Sequence, residues 1–139
     1  FLIRSPERVI ASYRQKMPSV TADDIGIVRQ RELFDEITAI TGERPPVVDS
    51  LDILKSPERM LRLLCDALAV PWYEGVMTDW RAGPRATDGV WASHWYGAVE
   101  ASTGFASAPS SSPQLEAADC ALATDMMTHY EAMARFKLF

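Results

Sequence analysis

Short apolar runs alternate with longer amphipathic segments in the first half of the chain. Phe1–Ile3 is an apolar run with the length of a buried strand. Ser5 and Pro6 follow it directly, and a hydroxyl residue before a proline is a typical helix start, because proline is tolerated at the first helical position. We therefore predict a strand at the start of the chain, followed by a helix that ends by Lys16.

A second helix is predicted between Thr21 and Gly42. Thr21 and Asp24 have the spacing of a capping box, in which two side chains satisfy free N–H groups at the start of a helix. Apolar residues then recur at roughly helical spacing from Ile25 to Ile40. Gly42 ends this pattern, as expected for a residue that readily adopts a left-handed conformation after a helix. The pattern favours one continuous helix over this range.

The same order of strand and helix then occurs again. Val47–Asp49 has the pattern of a second short strand, and Ser56–Arg59 repeats the Ser-Pro-Glu-Arg sequence of Ser5–Arg8. We interpret the repeat as one helix-start sequence used twice, with its charged side chains solvated, and we predict a helix from Pro57 to about Val70. Short buried strands that alternate with helices indicate an α/β fold with a parallel sheet.

The remaining part of the chain begins with a polar, irregular region. Trp72–Gly89 is rich in glycine, proline and arginine and is predicted to be a loop, followed by a short helix within Trp91–Ala101. Residues 102–112 are mostly serine, alanine and proline, which is typical of a flexible linker. We predict a long helix in residues 113–139, with an apolar side that packs on the domain or on a second copy of the chain. The predicted organisation is therefore a domain in residues 1–101, the linker and this helix.

Composition excludes some classes of function. The chain has 139 residues and a formal net charge of −5, which argues against a broad nucleic-acid or anionic-membrane surface. A small anionic ligand needs only a local cluster of arginines and N–H groups, so it remains open. Cys65 and Cys120 lack the spacing of a metal site, and no bilayer-spanning run or signal peptide is visible. We expect a cytoplasmic protein without a bound metal.

Arg4 is the first candidate site residue. It ends an apolar strand and precedes a helix start, and ligands of open α/β sheets bind beyond the carboxyl ends of strands. An arginine next to free helix N–H groups suits a phosphate, and the hydroxyl of Ser12, two helical turns further on, would add a contact. The alternative is structural: Arg4 pairs with a carboxylate such as Asp49, and Ser12 is a small residue at a helix contact.

The segment Phe1–Tyr13 resembles the 3′-phosphate motif of sulfotransferases that use 3′-phosphoadenosine 5′-phosphosulfate (PAPS). In that family a strand ends in arginine, a short turn often contains proline, and Val-x-x-Ser-Tyr follows on a helix; here that sequence is Val9–Tyr13. The resemblance implies that Arg4 and Ser12 bind the 3′-phosphate of the cofactor. Val48–Glu58 is similar to the strand and acidic turn that precede a later helix of the family.

A looser similarity involves Arg81 and Gly83. Arg81-Ala82-Gly83 is similar to the Arg-Lys-Gly loop of the family, and Gly89 and Trp91 are similar to its Gly-Asp-Trp segment. In the family both segments close over the adenosine and 3′-phosphate. Alanine stands here where the family has lysine, and the two glycine-containing segments are more widely spaced. The resemblance implies cofactor contacts from Arg81 and from the backbone N–H of Gly83.

The resemblance also implies a fold and an activity. The fold is a P-loop nucleotide-binding, three-layer α/β fold with a parallel sheet, of which this chain is the C-terminal part with the N-terminal portion absent. The activity is sulfuryl transfer from PAPS to a hydroxyl or amine of a small-molecule acceptor. The lysine-bearing loop and the catalytic base of the family lie upstream of the 3′-phosphate motif, Phe1–Tyr13, which we call the Arg4 motif. We therefore expect a longer complete protein, and no activity from this segment alone.

The catalytic residue and the class of function have alternatives. His94 lies in an aromatic cluster that would wall an acceptor pocket, which makes it a catalytic candidate, but a histidine hydrogen-bonded inside a tryptophan-rich core fits the same pattern. A small-molecule kinase of the same fold and a catalytically silent nucleotide-binding or interaction domain are the alternative functions. In each case the C-terminal helix is a candidate surface for a homo-oligomer.

Overall fold

The computed structural model describes residues 1–90, 92 and 96–139. Two short strands, β1 (Leu2–Ile3) and β2 (Val48–Asp49), pair in parallel, with Leu2 opposite Val48 and Ile3 opposite Asp49. Helices connect the two strands, as parallel pairing requires. The predicted α/β fold with a parallel sheet is therefore confirmed for the described residues, whereas the three-layer P-loop arrangement stays a prediction.

The helices fall into a crossover group and a C-terminal group. The crossover between the strands contains α1 (Pro6–Arg14), α2 (Ala22–Ile25) and α3 (Ile27–Thr41). After β2, the described helices are α4 (Ser50–Lys55), α5 (Pro57–Ala67), α6 (Gly97–Glu100) and α7 (Ala117–Ala134). Both predicted Ser-Pro helix starts are confirmed, with proline in the first turn of α1 and of α5, although neither serine hydroxyl makes a capping hydrogen bond.

A glycine divides the helix that was predicted to be continuous after Thr21. The capping box is present, since the Thr21 hydroxyl accepts from the N–H of Asp24 and the Asp24 carboxylate accepts from the N–H of Thr21. Gly26 then adopts a left-handed conformation with φ of 62°, which ends α2 and begins α3. Gly42 ends α3 in a similar conformation, with φ of 75°, as predicted. The single-helix prediction was wrong at Gly26.

Two further boundaries differ from the predictions. Residues after β2 were expected to form an acidic turn but form α4, because the buried Asp49 caps its start by accepting from the N–H of Leu51 at 2.8 Å. The C-terminal helix was predicted over residues 113–139 but covers only Ala117–Ala134. Beyond it, Lys137 forms a parallel bridge with Val47, and the Leu138 N–H donates to the Val47 carbonyl at 2.8 Å. Backbone pairing with the sheet therefore ends the helix.

The core lies between the two strands, α3 and α7. Its most buried members are Ile3, Phe34, Val47 and Met133, each with at most 2% of its surface exposed. The ring of Phe34 stacks against Phe136, with centroids 5.8 Å apart. The apolar side of α7 thus packs within its own chain, against α1 and α3. The homo-oligomer through this helix stays a prediction, and no helix in the described part of the chain is long and apolar enough to cross a membrane.

Residues 102–112 contact the rest of the chain at both ends. Near the start, the Thr103 carbonyl accepts from the N–H of Trp80 at 3.0 Å, and Phe105 lies edge-on to the Trp80 ring with centroids 5.3 Å apart. Near the end, the guanidinium of Arg8 donates to the Ser111 carbonyl at 2.8 Å. The segment has no helix or strand of its own, and its predicted flexibility stays a prediction.

Candidate functional site

A cleft of about 660 Å³ lies at the carboxyl ends of the two strands. Arg4, which follows β1, and Ser50, which follows β2, both line it. In open α/β sheets ligands bind beyond this edge, because connecting loops and helix starts meet there. The parallel register therefore brings the residues after both strands into one candidate site.

The cleft has a cationic corner and apolar walls. Arg4 and Arg8 form the corner, and the remaining described lining is mainly apolar. Apart from Leu2 of β1, these apolar residues come from α4, from α6 and from the segment after it, and include Leu51, Leu54, Val99, Phe105 and Pro109. A cleft of this kind suits a ligand with an anionic group attached to an apolar or aromatic body.

Arg4 has the properties of an anion-binding residue. Its side chain is exposed, and among the described residues it makes no hydrogen bond or ion pair. Desolvation by the surrounding chain lowers the pKa of Arg4, and the positive charge of Arg8 lowers it further. An arginine nevertheless stays protonated at neutral pH. Two neighbouring guanidinium groups that repel each other are stabilised by a shared anion.

The structural alternative for Arg4 was a pair with Asp49, and the structure shows other partners for that carboxylate. Asp49 is 3% exposed and accepts hydrogen bonds from the hydroxyl of Tyr130 and from the N–H of Leu51. Burial raises the pKa of Tyr130, and the hydrogen bond to Asp49 raises it further. Arg4 is therefore left facing the cleft, while Asp49 stabilises the start of α4.

Ser12 lies on α1, one helical turn beyond Arg8 and on the same side of the helix. Its side chain is exposed, and it is not among the described residues that line the cleft. The structure therefore places Arg4 inside the cleft and Ser12 further along the helix that carries Arg8. The role of Ser12 in anion binding stays a prediction.

The loop with Arg81 and Gly83 contacts the wall of the cleft. Gly83 has φ of 111°, a conformation that favours glycine, and its N–H donates to the Glu100 carbonyl at 2.7 Å. Glu100 follows Val99, which lines the cleft. The N–H that was predicted to contact the cofactor thus has a partner within the chain, and Arg81 is exposed. His94, the catalytic candidate, lies outside the described residues.

Sequence reasoning missed the contribution of Arg8. We interpreted it as a solvated helix-end charge, yet it is half-buried, lines the cleft and donates to the Ser111 carbonyl. One signal was present: Arg8 and Ser12 are four residues apart on the predicted helix, which is the spacing of one helix face, and Arg4 precedes Arg8 by the same interval. The partner of Arg8, by contrast, is 103 positions away in the chain and has no local signature.

A second polar cluster supports the wall of the cleft formed by α4. Besides the bond between Tyr130 and Asp49, the ammonium of Lys137 lies 2.6 Å from the carboxylate of Asp52. Both bonds connect the C-terminal part of the chain to the start of α4, one through its N-cap Asp49 and the other through Asp52 in its first turn. Since Ser50 and Leu51 of that turn line the cleft, these two bonds fix one side of the candidate site.

Comparisons with known proteins identify a family for the chain. A family model described as a sulfotransferase domain matches residues 1–136. The chain is 33% identical over 134 residues to "Branched-chain-amino-acid aminotransferase-like protein 1" of Arabidopsis thaliana. The matched region covers 96% of this chain and 22% of that protein. It is 34% identical over 113 residues to "Branched-chain-amino-acid aminotransferase-like protein 2" of the same plant. This match covers 81% of this chain and 20% of that protein.

The chain thus spans about a fifth of the length of these curated relatives, whose names describe the longer proteins. No solved structure matches the chain. The family model, in contrast, covers nearly all of it, including both strands, the Arg4 motif and α7. On that coverage, the chain belongs to the sulfotransferase-domain family.

Proposed function

We propose that this chain supplies the 3′-phosphate half of a PAPS site in a sulfotransferase. One observation carries the proposal: Arg4 lies at the carboxyl end of β1, exposed to a cleft, next to Arg8 and without an ion-pair partner among the described residues. Family membership supports the same reaction class. A phosphate monoester is a dianion at neutral pH, and it matches the two positive charges of this corner.

In this proposal each residue has a defined task. Arg4 binds the 3′-phosphate through charge-assisted hydrogen bonds, and the Ser12 hydroxyl adds a further bond from α1, the helix that follows Arg4. The loop with Arg81 and Gly83 closes over the adenosine side. PAPS, when bound, supplies the sulfuryl group for transfer to a hydroxyl or amine of a small-molecule acceptor. The residues of this chain bind and orient the nucleotide end of that donor.

The fit can be judged from the lining of the cleft. Its described residues include two arginines and no acidic side chain, so a bound anion meets no like charge there. Its apolar walls suit the face of a purine ring. A neutral or cationic ligand would leave the Arg4–Arg8 repulsion uncompensated. The cleft therefore favours an aromatic phosphate over an uncharged metabolite.

The test compares two nucleotides that differ in the 3′-phosphate. In isothermal titration calorimetry, the 139-residue chain should bind adenosine 3′,5′-bisphosphate more tightly than adenosine 5′-monophosphate. Arg4→Ala should weaken binding of the bisphosphate by about 1.5–3 kcal/mol, and Ser12→Ala by about 0.5–1.5 kcal/mol. Neither substitution should change binding of the monophosphate by a comparable amount.

Arg59→Ala is the matched control. Arg59 occupies the same position in the second Ser-Pro-Glu-Arg sequence as Arg8 does in the first, is exposed, and lies outside the described lining of the cleft. This variant should bind both nucleotides like the wild type. Equal affinity of the wild type for the two nucleotides would overturn the proposal, as would an Arg4→Ala variant that keeps full affinity for the bisphosphate.

A further inference from the structure

Arg8 connects the cleft to residues 102–112, which we call the strap. Its guanidinium lines the cleft and donates a 2.8 Å hydrogen bond to the Ser111 carbonyl near the end of the strap. Two other strap residues, Phe105 and Pro109, line the same cleft. The strap is therefore part of the wall of the candidate site, and Arg8 contacts both the cleft and the strap.

The two ends of the strap are attached in different ways. The first residues contact Trp80 through three interactions: the Trp80 N–H donates to the Thr103 carbonyl, the indole N–H donates to the Ser102 hydroxyl at 2.9 Å, and the indole ring packs against Phe105. At the other end the described side-chain bond is the one from Arg8 to the Ser111 carbonyl. Loss of that bond would free the end of the strap while Trp80 still holds the beginning.

The bond between Arg8 and Ser111 joins a full charge to a neutral acceptor. A phosphate oxygen carries a formal negative charge, and hydrogen bonds between two ionised groups are shorter and stronger than bonds to a neutral carbonyl. Arg8 lies close enough for its positive charge to act on Arg4, whose pKa it lowers. A dianion at Arg4 would relieve that repulsion and offer Arg8 a better acceptor than Ser111.

We propose that Arg8 is a second anion-binding residue of the cleft, and that a phosphate group bound at Arg4 takes the Arg8 guanidinium from the Ser111 carbonyl and releases the end of the strap. The identity of the phosphate as the 3′-phosphate of PAPS rests on the proposed function, whereas the exchange of acceptors at Arg8 requires only a phosphate. Binding at the cationic corner is thereby coupled to the opening of one wall of the cleft.

Limited proteolysis measures this coupling directly. Proteinase K is added to the 139-residue chain alone, with adenosine 3′,5′-bisphosphate, and with inorganic pyrophosphate, and cleavage within residues 106–112 is mapped by mass spectrometry. In the wild type, saturating bisphosphate should speed this cleavage about tenfold, the factor for losing one hydrogen bond to a charged group when cleavage follows the open population. Cleavage near Trp80 should not change.

Arg8→Ala should show the released strap without any ligand. Its residues 106–112 should be cleaved about tenfold faster than those of the wild type, and bisphosphate should give no further increase. The variant should also bind the bisphosphate several-fold more weakly. Arg59→Ala, with the same substitution at the matched position of the second Ser-Pro-Glu-Arg sequence, should behave like the wild type in every arm.

The outcomes separate this inference from the proposed function. If the bisphosphate binds in an Arg4-dependent way but cleavage of the strap is unchanged by ligand or by Arg8→Ala, the inference is wrong and the proposed function stands. If bisphosphate has no advantage over the 5′-monophosphate, yet pyrophosphate speeds cleavage and Arg8→Ala abolishes the effect, the inference stands and the nucleotide assignment is wrong. If neither phosphate compound changes cleavage in the wild type, the acceptor exchange does not occur.

Discussion

Replacement of Tyr130 by phenylalanine tests how the C-terminal helix supports the cleft. The Tyr130 hydroxyl donates to the carboxylate of Asp49, which is 3% exposed and accepts one further described hydrogen bond, from the Leu51 N–H. Tyr130→Phe removes a single oxygen atom and keeps the ring that packs against the core. The buried carboxylate then keeps one described donor out of two.

The expected loss follows from the charge of the acceptor. Hydrogen bonds to charged groups contribute about 1.5–3 kcal/mol to stability, more than bonds between neutral groups. Asp49 is buried, so water replaces the missing donor poorly. We therefore expect Tyr130→Phe to lower the free energy of unfolding by about 2 kcal/mol.

The effect should also depend on pH in one direction. Burial and the bond to Asp49 raise the pKa of Tyr130 in the folded state above the usual tyrosine value of about 10. The folded state then holds the phenol proton more tightly than the unfolded state, so the stabilisation is complete below about pH 10 and decreases as the pH rises above it. The difference between the wild type and Tyr130→Phe should be constant near neutral pH and shrink at higher pH.

Urea unfolding followed by circular dichroism measures both quantities. Tyr73→Phe is the control, because Tyr73 is 58% exposed and its loss should change the free energy of unfolding by less than about 0.5 kcal/mol. If Tyr130→Phe is as stable as the wild type near pH 7, the bond to Asp49 does not stabilise the fold. A difference that persists unchanged well above pH 10 would refute the assigned cause.

Two further substitutions test the core and a turn. Phe34→Ala should lower the free energy of unfolding by about 3–5 kcal/mol in urea, since Phe34 is 2% exposed and packs between Phe1 and Phe136, whereas Ile40→Ala on the same helix, at 84% exposure, should cost well under 1 kcal/mol. Gly26→Ala should cost about 1–2 kcal/mol, because its φ of 62° strains any side chain although no atom lies within 4 Å of the added carbon. Equal stability of Phe34→Ala and Ile40→Ala, or a neutral Gly26→Ala, would contradict these assignments.

Local signals predicted the beginning of elements better than their continuity. The starts at Pro6 and Pro57 and the capping box at Thr21 were correct, because each depends on residues within one helical turn. The break at Gly26 was missed because the apolar spacing continues across it. The last turn of α7 was also misjudged, since the parallel bridge between Val47 and Lys137 joins segments far apart in sequence.

The candidate site shows the same division between local and distant information. The position of Arg4 was predictable, since a strand end before a helix start indicates the edge of a sheet where ligands bind, whereas its role in binding stays a prediction. The contact of Arg8 with Ser111 was not predictable from local pattern, because it depends on where a segment 103 positions away lies in the fold. Ser12 was named from its spacing to Arg4 and then from the resemblance, and Gly83 from the resemblance alone; the part of both in binding stays a prediction.

The distribution of ion pairs explains how a chain with a net charge of −5 offers a cationic cleft. Two carboxylates at the start of α4 already have partners: Asp49 accepts from Tyr130 and from a backbone N–H, and Asp52 lies 2.6 Å from Lys137. Arg4 has no such partner among the described residues, and Arg8 bonds only a neutral carbonyl there. No carboxylate in the described part of the chain pairs with either arginine, so their charge acts at short range on whatever enters the cleft. Local pairing at the edge of the sheet, rather than the total charge, is therefore the basis on which we propose an anionic ligand.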